Sequence, residues 1–150
     1  GMRYYEDMTD EEYDQRYIKY FNPDMFDAKD WARRAKEAGM KYVVLTTKHH
    51  EGFCMFDTKW TDYKCTNTPA GRDLVREYVD AFRAEGLRIG IYYSLIDWHH
   101  PDFTIDQNHP RRCEPDAEEM NKTRDMKKYA EYMRNQVREL LTNYGKIDIL

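Results

Sequence analysis

Apolar and polar positions follow two alternating rhythms along the chain. From Asp27, with Asp30 three residues on, the positions Trp31, Ala35 and Ala38 recur at helical spacing and predict a buried helix stripe, and Gly39 stands where a helix ends. Lys41-Tyr42-Val43-Val44-Leu45-Thr46-Thr47 then becomes a β-branched, nearly unbroken apolar run, the pattern of a parallel strand covered on both faces. The rhythm repeats. Arg72-Asp73 opens a helix whose stripe is Leu74, Val75, Tyr78, Val79 and Phe82, Gly86 closes it, and Leu87 to Ser94 predicts a second strand. A polar loop over 96–115 precedes a long helix with Met126, Tyr129, Met133, Val137, Leu140 and Leu141 on its buried stripe, and Lys146 to Leu150 begins a third strand. Ahead of all these, Thr9-Asp10-Glu11-Glu12 has the form of a capping box, predicting a first helix that ends before Asn22-Pro23.

Helix, short turn and strand in succession predict an α/β domain built on a parallel sheet. The long loops come after the strands, over 48–71 and 96–115, which puts any site at the strands' C-terminal ends. The pattern fits an open doubly wound sheet as well as a barrel. No Gly-rich turn succeeds a strand, which tells against a dinucleotide. A complete (β/α)8 barrel takes about 250 residues, with ~200 a lower bound, so on the barrel reading residues 1–150 are one domain holding part of it.

Composition changes the picture mainly by exclusion. The 24 Lys and Arg against 28 Asp and Glu leave a net charge of −4, without the basic excess that nucleic acid requires. Aromatic residues at 15% argue for a packed core rather than disorder. No apolar run approaches the ~20 residues that span a bilayer, and the opening residues do not form a signal peptide, so compartment stays open. Cys54, Cys65 and Cys113 lack metal-binding spacing and are odd in number, which predicts reduced thiols.

Candidate chemistry gathers at the strand ends: Lys48-His49-His50-Glu51-Gly52-Phe53, and Tyr92-Tyr93-Ser94 with Asp97-Trp98. Adjacent histidines on a continuing strand point to opposite faces, but where the pleat gives way both can turn into one pocket. There they suit sugar hydroxyls, a metal, or merely a satisfied strand end. Neighbouring histidines serve a barrel metal site poorly, since His-x-His is what puts two rings on one face. Of Tyr92 and Tyr93, alternation allows only one to face inward. Trp98, Trp60 and Phe53 are candidates to stack on a ligand, and His99-His100 reads as solvated. Asp73, Asp80 and the acids over 114–119 fall at helix starts or on polar faces.

Lys48-His49-His50-Glu51-Gly52-Phe53 resembles the retaining α-L-fucosidases of the glycoside hydrolases. The resemblance extends over Phe21-Asn22-Pro23, Phe26-Asp27-Ala28, Trp31-Ala32, Ala38-Gly39, Arg72-Asp73-Leu74-Val75, Gly86-Leu87, Gly90 to Ser94, Asp97-Trp98, Gln136, Glu139-Leu140 and Tyr144-Gly145, nearly the whole chain. It implies an α/β fold that is a partial (β/α)8 (TIM-like) barrel of about three parallel strands with flanking helices. It further implies hydrolysis of terminal α-L-fucosyl linkages with retention, no cofactor or metal, and a fucosylated glycan or fucoside as partner. His49 and His50 correspond to the family's fucose-binding pair, Tyr92 to a tyrosine lining the same pocket, and Trp98 stands near it. Glu51 replaces the usual Asp, Phe56 stands where Trp is frequent, and Tyr4 takes the place of a Trp. The family's opening strand with another sugar-binding histidine has no counterpart. Its nucleophilic Asp and its acid/base correspond to positions beyond Leu150, so no catalytic residue is expected among these 150. Unpaired sheet edges predict a homo-oligomer. A non-catalytic carbohydrate-binding half-barrel and a metal-dependent barrel hydrolase are the alternatives.

Overall fold

A computed structural model describes residue 6 and residues 8–150. The segment Tyr4-Tyr5-Glu6-Asp7-Met8, noted for its departure at Tyr4, lies largely outside the described residues. The described elements are α1 (Asp10–Arg16), α2 (Ala28–Glu37), β1 (Tyr42–Lys48), α3 (Leu74–Ala84), β2 (Arg88–Tyr93), α4 (Ala117–Asn121) and α5 (Met126–Asn143), with short 3-10 turns at Ile18–Tyr20, Cys65–Asn67 and Pro110–Cys113.

The helix starts form as their sequences dictate. Thr9 accepts from the Glu12 amide while Glu12 reaches back to the Thr9 amide, the reciprocal capping box at α1. Asp27, Asp73 and Asp125 accept from the first free amides of α2, α3 and α5. The helical stretch after Pro115 is divided in two: α4 stops at Asn121 and α5 restarts behind the Asp125 cap.

β1 and β2 pair in parallel, Tyr42 opposite Arg88 through Thr46 opposite Tyr92. A third strand does not form among the described residues. Ile149 makes only a single parallel bridge to Gly90. Before its end β1 carries a bulge: Thr46 pairs with Tyr92 and Lys48 with Tyr93, leaving Thr47 over. The extra residue shifts the phase of the strand, so consecutive Thr47 and Lys48 are both fully buried.

Helices α2, α3 and α5 cover one face of this sheet. The main core joins Ala28, Ala32 and Ala35 of α2, Val75, Tyr78, Val79 and Phe82 of α3, Leu140 of α5, and Ile89, Ile91 and Tyr93 of β2. Small residues at 28, 32 and 35 let α2 approach closely, and Trp31, expected in that stripe, lies beside it, 57% exposed, edge-on to Phe26. Ala38 is exposed as well. On α5 the buried line runs through Tyr129, Tyr132, Gln136 and Leu140, and the expected Met126 and Leu141 face outward.

The opposite face of the sheet is open. Tyr42, Val44 and Tyr92 are 54%, 44% and 41% exposed, so β1 is not covered on both faces as its apolar run predicted. Gly90 belongs to that face because a Cβ there would meet Val44 Cγ2 at 2.8 Å and the Val43 carbonyl oxygen at 2.9 Å.

Candidate functional site

The C-terminal ends of both strands meet beside the open face. β1 ends at Lys48, and a turn closed by the Gly52 amide donating to the His49 carbonyl turns the next residues out of the ladder. Both imidazoles thereby come together, ring centroids 4.1 Å apart, and His49 stacks on Tyr92 at 6.0 Å and 29°. Alternation on β2 is obeyed: Tyr92 joins the histidines and Tyr93 is buried under α5, its hydroxyl donating to Gln136 at 2.7 Å. His50, Tyr92, Ser94, Leu95, Ile96 and Ile149 line an open hollow of about 600 Å³. A larger one, about 780 Å³, lies between 8–11 and 110–115, but no paired rings converge there. Chemistry rather than size selects the strand-end hollow.

Trp98 flanks His50 at 5.1 Å between centroids, and its amide donates to the His50 carbonyl at 2.7 Å. Its indole Nε1 is buried without a partner. Phe53 does not reach the hollow. It packs with Cys65, Leu74 and Tyr63 in a separate core cluster. Trp60 is exposed on the long loop, and the structure gives it no place in the hollow. His99 and His100 are part-buried rather than solvated: His99 lies flat on Tyr63 at 3.9 Å and 2°, and His100 packs against Tyr129 and Tyr132.

Beneath the hollow lies an ion pair of which local sequence gives no sign. Lys48, fully buried, places Nζ 2.7 Å from Asp97 Oδ2, itself almost fully buried. The ammonium also sits 4.5 Å above the Tyr93 ring, with Tyr129 and Tyr132 at 5.7 and 5.6 Å, an aromatic cage that offsets part of its lost hydration. Asp97 Oδ1 accepts from the amides of His99 and His100. The ion pair therefore ties the end of β1 to the loop after β2. Gly52 makes this closure sterically possible: its φ is +83°, and a Cβ there would stand 2.5 Å from Asp97 Oδ1 and 2.8 Å from His99 Cβ.

The electrostatics suit neutral recognition. Burial first, then the neighbouring His49 charge, holds the His50 imidazole below its ordinary value of 6.5, so it is uncharged at neutral pH. His49 Nδ1 faces Glu51 at 3.4 Å with both side chains partly exposed, a solvent-screened contact of small energy. An uncharged imidazole such as that of His50 can donate from one nitrogen and accept at the other. The three cysteines are free, Cys54 and Cys65 buried and Cys113 exposed. Among the described residues no three His, Cys, Asp or Glu side chains group as a metal-holding cluster, and no helix is long and apolar enough to cross a membrane.

The α-L-fucosidase family model matches residues 2–150. A putative α-L-fucosidase of rice (Oryza sativa subsp. japonica) is 35% identical over 131 residues, which is 85% of this chain and 22% of that protein. Isoenzyme 1 of Paenibacillus thiaminolyticus α-L-fucosidase superposes with a TM-score of 0.92 at 56% identity, over 99% of this chain and 35% of its own. An α-L-fucosidase of Bacteroides thetaiotaomicron, solved as a trapped covalent intermediate in complex with 2-fluoro-fucosyl fluoride, gives a TM-score of 0.80 at 36% identity, over 97% of this chain and 31% of its own. The chain thus spans roughly a fifth to a third of the length of these relatives.

Proposed function

The chain belongs to the α-L-fucosidase family, and from that premise we propose that it is the part of a (β/α)8-like catalytic barrel that grips the deoxysugar of a terminal α-L-fucoside. His49 and His50 hydrogen-bond the sugar hydroxyls, Tyr92 walls the same hollow and Trp98 backs His50. The observation that carries the reading is the meeting of His50 and Tyr92, 42 residues apart in sequence, on one open cavity at the strand ends, with the His49 ring packed against both. Residues 1–150 form one domain segment in this reading, with β1, β2 and the Ile149 bridge as successive staves. The fucosyl ligand of the Bacteroides relative supports the substrate class.

Retaining hydrolysis needs two carboxyl groups about 5–5.5 Å apart, one attacking the anomeric carbon and one protonating the leaving oxygen. Asp97 is committed to Lys48, and Glu51 faces His49. His49, His50 and Tyr92 bind and orient the sugar, which is the entropic share of the acceleration. In a titration of the 150-residue chain with L-fucose followed by imidazole and aromatic shifts, these three rings are expected to move saturably, and D-glucose to leave them in place. His50→Ala weakens that binding by about tenfold, the worth of one good hydrogen bond. Resonances of the three rings that stay still at saturating sugar would end the proposal.

We infer further that the chain by itself self-associates through the open sheet face, where Tyr42, Val44, Tyr92, Leu95 and Leu150 leave apolar surface in water. Light scattering should therefore report dimers or larger species, and a strictly monomeric mass at titration concentrations would overturn the inference.

A further inference from the structure

We propose that Ser94 is a positioning residue that locks the His50 imidazole with its proton on Nδ1, so that Nε2 meets the ligand as a hydrogen-bond acceptor. The proposal rests on the fucoside reading for what the ligand is, but not for the state of the ring.

The hydrogens around one oxygen decide that state. Ser94 is 1% exposed, and its Oγ has three neighbours: His50 Nδ1 at 2.6 Å, the Ile96 carbonyl oxygen at 2.7 Å and the Ile96 amide at 3.1 Å. A serine hydroxyl offers one hydrogen and two lone pairs. The Ile96 amide takes one lone pair. If the hydroxyl hydrogen goes to the Ile96 carbonyl, the remaining lone pair must receive a proton from His50, and every contact joins a donor to an acceptor. If Nδ1 were instead unprotonated, the hydroxyl would have to turn to it. Two oxygens would then face each other at 2.7 Å with no hydrogen between them, beside a side chain that water does not reach. Setting two lone pairs against each other in this part-buried contact is costly enough to decide between tautomers that differ little in water.

The serine is itself held in place. Its amide donates to the Lys48 carbonyl at 3.0 Å, extending the ladder past the bulge, so Oγ is fixed relative to the turn that carries the histidines. The His50 backbone is fixed independently by the Trp98 amide. With Nδ1 engaged, Nε2 is the atom left for a ligand, and it presents a lone pair. Such a site selects a free hydroxyl, which can donate, over an ether or ester oxygen, which cannot.

The test reads the ring first and the sugar second. Nitrogen-15 spectra of the imidazoles in the 150-residue chain, recorded without sugar above pH 7, are expected to show His50 protonated on Nδ1. Ser94→Ala should move the pattern toward the Nε2–H form and weaken L-fucose binding by about tenfold, while Ser94→Thr, which keeps the hydroxyl, retains both. A wild-type ring protonated on Nε2, or a pattern that Ser94→Ala leaves unaltered, overturns the proposal, and the wild-type spectrum decides even if the variants fold poorly. An Nδ1–H ring in a protein that binds no fucose would sustain the tautomer assignment and remove only the fucoside reading.

Discussion

Lys48→Ala is expected to lower the stability of the chain by about 3–5 kcal/mol, a large share of the roughly 5–15 kcal/mol that holds a typical domain folded. The cause is what it leaves behind. Asp97 is almost fully buried, and without the ammonium 2.7 Å away its carboxylate must either stay charged with no counterion or take up a proton. Three rings, Tyr93, Tyr129 and Tyr132, would at the same time face a void where the side chain stood. Asp97→Ala should cost at least as much, because the amides of His99 and His100 also lose their acceptor. The two losses are not additive. The double variant, with neither charge left buried, should lie within about 1 kcal/mol of the worse single one. Urea unfolding of the four proteins checks this, and independent, summing losses would mean that the pair does not act as a unit.

The second large effect belongs to Gly52. Gly52→Ala combines a left-handed backbone that alanine tolerates badly with a methyl group placed on Asp97 Oδ1, so a loss of about 2–4 kcal/mol is expected. Gly39 provides the comparison, since its φ is +81° and nothing lies within 4 Å of where its Cβ would be. Gly39→Ala should cost only the backbone share, about 1 kcal/mol. The difference between the two measures the closure of the strand-end loops. Because that closure carries the histidines, Gly52→Ala should also abolish the L-fucose response of His49 and His50, which Gly39→Ala leaves intact. Equal costs at the two glycines would remove Gly52 from the site's architecture.

Much of the fold is legible in short-range chemistry. Thr9, Asp27 and Asp73 cap the helices whose starts they mark, and both strands fall within a residue of their predicted limits, because capping and β-branched runs act locally. Exposure is less legible. Tyr42 and Val44 are as apolar as Val43 and Leu45, and nothing in the run distinguishes a covered face from an open one. Gln136, polar by type, gives no sign of belonging to the core, although it is fully buried and bonded to Tyr93, Cys54 and Thr58. At the site, the pairing of His49 and His50 with Tyr92 agrees with their position at strand ends. The roles of Lys48, Ser94 and Asp97 are hidden: their partners lie 44 to 49 residues away, and no spacing rule announces such a contact. His99 and His100 look solvated for the same reason, since the tyrosines that cover them come from elsewhere in the chain.

The supernumerary Thr47 has one more implication. Were Thr47 instead paired regularly with Tyr93, parity would send the ammonium of residue 48 out beside Tyr92 on the open face and turn the next imidazole toward the aromatic cage. The polarity of the mouth is therefore settled by counting. One irregular pairing, with no chemistry of its own, determines whether the open face presents a fixed cation or two imidazole rings.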